Sequence, residues 1–158
     1  MKKSVLLICI LILTVGWMLL IFGFSSQTGA ESGSLSALLS EPITKLLIRF
    51  ADDSSTEAES ALFSRVDIGV RKIAHFTEYA ILGGLLVLLF RIRRVLLIWL
   101  PWLIGTLYAV TDEWHQSFSP GRSCDPKDVL IDACGVLIGV LISFTLLQRW
   151  RKKHACHS

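Results

Sequence analysis

Arg71-Lys72-Ile73-Ala74-His75-Phe76-Thr77-Glu78-Tyr79 runs without interruption into the apolar stretch that ends at Phe90. Residues 73–90 make 18 positions broken only by His75 and Glu78. A hydrocarbon core of ~30 Å needs roughly 20 helical residues, so this run can span. Ionisable side chains fused to the end of a span are costly unless paired or wetted. The stretch therefore reads as the rim of a functional site at a membrane surface. On a helix Arg71, His75 and Glu78 follow at i, i+4 and i+7 and share one face.

Three further apolar runs flank this one. Residues 5–24 contain no charge, residues 95–110 contain none, and residues 129–147 contain a single Asp. They explain why 53% of the 158 residues are hydrophobic and why mean hydropathy is +0.59, above a soluble domain of this length. The third run is short for a span and must borrow Asp112-Glu113-Trp114-His115-Gln116 at its end. The sequence thus predicts an all-α integral membrane protein with four transmembrane helices, near residues 4–24, 72–91, 95–116 and 126–148, in one domain covering 1–158. An outer loop over 25–71 carries short surface helices.

Charge placement sets the expected orientation. Lys2 and Lys3 precede the first run, Arg91, Arg93 and Arg94 separate the second from the third, and Arg149, Arg151, Lys152 and Lys153 follow the fourth. By the positive-inside rule these segments are cytoplasmic, as are both termini. The 13 Asp and Glu then fall outside or at the outer ends of spans. The net charge of +3 reflects this topology and implies no nucleic acid. The first run exceeds the 7–15 residues of a signal-peptide core and is expected to be retained. Cys9, Cys124, Cys134 and Cys156 have no paired spacing, so no disulfide is required. His154 and His157 lie in a basic tail and need no role.

Within the loop, Pro42 suits the first turn of an amphipathic surface helix through Phe50. Ser54 with Glu57, or Thr56 with Glu59, reads as a capping box for a helix that runs on into the second span. Beyond the third run, Asp112, His115 and Gln116 share a face with Tyr108, while Glu113 points toward the loop or lipid headgroups. Trp114 and Phe118 suit interfacial anchoring. Ser119-Pro120-Gly121-Arg122 reads as a tight turn, Asp125 as an N-cap, Pro126 as the first helical residue and Asp128 as its third. Asp132 lies one turn deeper, where capping does not explain it. Asp128, Asp132, Gly135 and Gly139 form a polar-then-glycine stripe that should face the bundle interior.

These pieces together resemble the VanZ-like membrane proteins. The resemblance rests on Phe24-Ser25-Ser26-Gln27, on Arg71-Lys72-x-Ala74-His75-Phe76-x-Glu78-Tyr79, on Tyr108-Ala109-x-x-Asp112-Glu113-x-His115-Gln116-x-Phe118-x-Pro120-Gly121-Arg122, and on Asp128-x-x-x-Asp132-x-x-Gly135. It covers essentially the whole chain. It implies a small multi-pass protein of the bacterial plasma membrane, in a family whose namesake is associated with reduced susceptibility to the glycopeptide teicoplanin.

Three functional readings follow. In the first, Arg71, Lys72, His75, Glu78, Asp112, Glu113, His115, Gln116, Arg122, Asp128 and Asp132 form an outer-face site for a membrane lipid, a cell-wall precursor or another lipid-linked substrate, since arginine suits phosphate and carboxylate. In the second, His75, Glu78, Asp112, His115 and Asp132 hold a divalent metal, and the protein is a metal-dependent hydrolase or transferase. In the third, Arg71–Glu78 and His75–Asp132 pairs neutralise one another and fix helix register. A proton-coupled transporter is disfavoured, because the charged groups gather at one face with none deeper inside.

Overall fold

The computed structural model describes residues 2–50, 55–92, 97–122 and 124–155. Ser54, Arg93, Arg94, Cys156 and His157, with the His154 side chain, lie outside the described residues. All described elements are helices: α1 Lys2–Ser25, α2 Gly29–Ile48, α3 Thr56–Ile92, α4 Trp99–Gln116 and α5 Pro126–Ala155. Three of them, α1, α3 and α5, contain segments long and apolar enough to cross a membrane. The 18 residues of α4 reach only about 27 Å at ~1.5 Å per residue, and its last turn is polar.

The helix starts follow local chemistry, with two corrections to the sequence reading. α2 does not begin at Pro42. It begins at Gly29, capped by Thr28, whose side chain accepts from the Glu31 backbone N–H while the Glu31 carboxylate accepts from Thr28. These bonds hold the Glu31 carboxyl below its ordinary range, the backbone bond first. Pro42 sits inside the helix. The second correction is at α3, where Ser55 caps: its hydroxyl accepts from the Ala58 N–H at 3.3 Å. α3 then continues for 37 residues as expected, about 55 Å at ~1.5 Å per residue. That is far longer than a ~30 Å hydrocarbon core, so its first turns project beyond one.

α5 begins as read. Asp125 Oδ1 accepts from the Lys127 N–H at 2.9 Å. Ahead of it, the Arg122 N–H bonds the Ser119 carbonyl at 3.1 Å across a turn in which Gly121 has φ +77°. A type II turn requires this left-handed conformation at its third residue, and glycine adopts it freely.

α3 and α5 form the central pair. A Cβ on Gly135 would overlap the Phe76 carbonyl, and one on Gly139 the Ala80 carbonyl. The glycine stripe therefore lets two backbones touch, as in small-residue packing of membrane helices. Tyr79, Leu82, Val136 and Val140 fill the centre, with Leu86, Val87, Ala109 and Ile21 around them. α1 adds Trp17, whose indole donates to the Glu78 carbonyl at 2.9 Å, and Met18, whose carbonyl accepts from the Tyr108 hydroxyl at 2.6 Å.

α2 packs on the first half of α3 with an inverted face. Ser36, Ser40 and Thr44 are buried, while Leu35, Leu38, Leu39, Leu46 and Leu47 are exposed. The buried serines satisfy Asp67 of α3: Ser36 donates at 2.5 Å and Ser40 at 3.1 Å to Oδ1. Outward leucines over a polar contact suit an apolar surrounding better than water.

Candidate functional site

The turn between α4 and α5, the end of α1 and the start of α2 meet at one end of the bundle. The Gly29 N–H donates to the Pro120 carbonyl at 3.0 Å, and the Ser119 hydroxyl reaches the Ser25 and Ser26 carbonyls at 3.4 Å. This corner fixes Arg122 beside the middle of α3. A cavity of about 290 Å³ opens there, lined by Arg71, Lys72 and His75 from α3, Glu113 and Gln116 from α4, Arg122 from the turn, and Asp128 and Asp132 from α5. Helix periodicity supplies the α3 set, because Arg71, Lys72 and His75 lie on adjoining rows of one face.

The charges inside are unevenly matched. Lys72 Nζ is 2.6 Å from Asp128 Oδ1, joining α3 to α5. Arg71 pairs through one terminal nitrogen with Asp67 at 2.9 Å, not with Glu78 as the scaffolding reading expected. The reason is geometric: Asp67 lies one turn earlier on the same helix, already held by the α2 serines. The Arg71 Nε and the His75 Nδ1 are buried without a hydrogen-bond partner among the described residues. Glu113 is buried and accepts from the Asp125 N–H at 3.2 Å. Arg122 is half-buried and has no ion pair among the described residues. Burial first, and Arg71 second, push its guanidinium down from the ordinary range. Asp132, 3% exposed, closes the α5 side.

Three residues grouped with these in the sequence reading stand apart from the cavity. Asp112 is buried behind it, where Ser25 Oγ donates to Oδ2 at 2.6 Å and Tyr79 packs against it. Gln116 Nε2 donates in turn to Ser25 Oγ at 3.3 Å, so the cavity wall and the buried acid are joined through one hydroxyl. His115 turns to α1, stacked on Phe22 with ring centroids 4.0 Å apart and 3.1 Å from Ser26 Oγ. Glu78 lines a second groove, on the α2 side. Among the described residues no three His, Cys, Asp or Glu side chains group so as to hold a metal ion. Sequence reasoning missed Ser25 and Asp67 as partners. Ser25 carried a signal, its place in Phe24-Ser25-Ser26-Gln27. Asp67 carried none.

The arrangement can hold an anion. Two guanidiniums line the cavity, one of them without an ion pair among the described residues, together with His75 and the carboxyls of Glu113, Asp128 and Asp132. A protein-family model described as VanZ/LLP1 matches residues 10–148, most of the chain. No curated protein and no solved structure matches.

Proposed function

Since the chain belongs to the VanZ/LLP1 family, we propose that it is a four-span plasma-membrane protein whose extracytoplasmic face binds an anionic group of an envelope ligand. α4 is the third of the four spans, with Asp112–Gln116 at its outer end, and both termini are cytoplasmic, as the basic segments indicate. With that orientation the polar cavity of this single domain, residues 1–158, opens on the outside, where a surface-acting antibiotic meets the envelope. Occupancy of that site by a cell-wall precursor or lipid headgroup is how such a protein influences glycopeptide susceptibility.

One observation carries this reading. Among the described residues no carboxylate is within ion-pair distance of Arg122, a half-buried cation that lines the cavity beside a second arginine. A half-buried charge is costly, and internal neutralisation would be the stable arrangement. An unpaired one at a cavity wall is arranged for an incoming anion. The test is equilibrium binding of sn-glycerol 3-phosphate to purified protein. Arg122→Gln should weaken it at least ~tenfold, the equivalent of about 1.4 kcal/mol. Equal binding by both proteins would defeat the reading.

A further inference from the structure

A second groove adjoins the polar cavity and shares three of its lining residues. Arg71, His75 and Arg122 also line a groove of about 220 Å³ on the α2 side, whose remaining walls carry Phe24, Leu35, Leu39, Val70 and Ala74 beside the polar Gln27, Ser32, Ser36 and Glu78. The shared wall is also where the unpartnered Arg71 Nε and His75 Nδ1 lie. Two arginines and a histidine thus line both spaces.

The outer edge of the groove is α2, and its exposed residues Leu35, Leu38 and Leu39 are 50%, 74% and 60% accessible. With serines inward and leucines outward, α2 presents an apolar face beside the groove, the pattern of a helix that meets lipid. A ligand arriving from water needs no apolar groove. One arriving from the bilayer brings a chain that must be accommodated.

Resting on the anion-site reading, we infer that the ligand is a phosphate-bearing lipid. Its phosphate sits at the wall shared by Arg71, His75 and Arg122, its polar substituent enters the chamber toward Glu113 and Asp132, and the first part of its chain lies in the groove between α2 and α3. The amphiphile matches both compartments by charge and polarity: anion against arginine, hydrocarbon against leucine and phenylalanine.

The experiment compares two probes, dioleoyl phosphatidate in phosphatidylcholine nanodiscs and sn-glycerol 3-phosphate in solution, on the full-length protein. Wild type should prefer the lipid by at least ~tenfold. Leu35→Trp with Leu39→Trp, which fills the groove from α2, should lower lipid binding at least ~tenfold and leave glycerol 3-phosphate binding unchanged. Val70→Trp fills the same groove from α3 and should do likewise, which covers misfolding of the double variant. Unchanged lipid binding in these variants overturns the inference while leaving the anion site standing. So does wild type binding both probes equally, which would make the ligand a free phosphate. Failure of the anion site itself has a different signature, since Arg122→Gln would then affect neither probe.

Discussion

The Ser25 hydroxyl, in the last turn of α1, donates to Oδ2 of Asp112, in the last turn of α4, at 2.6 Å. Asp112 is 2% exposed and Ser25 wholly buried, so neither group has water to replace the other. This bond, with Gln116 donating to Ser25 Oγ, fixes the end of α1 against the floor of the polar cavity. Ser25→Ala should therefore cost about 1–3 kcal/mol, because it strips a donor from a buried acid. A lower melting temperature in detergent checks this. Ser25→Thr, which keeps the hydroxyl, should recover part of the loss.

Close contact of α3 and α5 depends on glycine at 139. Gly139→Leu cannot be absorbed by a side-chain shift, since the obstacle is the Ala80 backbone. Overpacking of this kind costs about 1–3 kcal/mol. The variant should accumulate poorly or melt early, whereas Gly33→Ala, where a Cβ meets nothing, should behave as wild type.

Asp132 separates use from support. It is buried at the cavity wall, and Asn keeps its shape and much of its hydrogen-bonding capacity without the charge. Asp132→Asn should insert and accumulate normally while losing any envelope phenotype. A fall in yield or thermostability would instead assign it to structural pairing.

Topology is open to direct measurement. A reporter fused at residue 60 should read extracytoplasmic and one at the C-terminus cytoplasmic. A cytoplasmic signal at residue 60 would put the cavity on the wrong side of the membrane for an envelope ligand.

Much of this architecture was legible along the chain because it rests on local rules. Apolar runs marked the helices, Asp125 and Pro126 marked the start of α5, Pro120 and Gly121 marked the turn, and the stripe from Asp128 to Gly139 marked the face that meets α3. Eight of the site residues named from sequence line one cavity: Arg71, Lys72, His75, Glu113, Gln116, Arg122, Asp128 and Asp132. What could not be read was set by tertiary packing. Asp67 belongs to no motif in the sequence, and only the docking of Ser36 and Ser40 makes it a buried acceptor that occupies Arg71. His115 shares a helix face with Asp112, yet α1 stands close enough for Phe22 to capture its ring. The start of α2 was missed for a different reason. Thr28 and Glu31 form a sound capping box, but the residues after them are rich in Ser and Gly, and Pro42 offered a more conspicuous beginning.

The central claim is that Arg122 is kept unpaired in order to hold the phosphate of a lipid. Native mass spectrometry of the protein released directly from membranes tests it most directly, by comparing wild type with Arg122→Gln. Wild type should retain a phosphate-bearing lipid and the variant should lose it at an undiminished melting temperature, because Arg122 has no ion pair to lose among the described residues. The same lipid at the same occupancy in both proteins would contradict it.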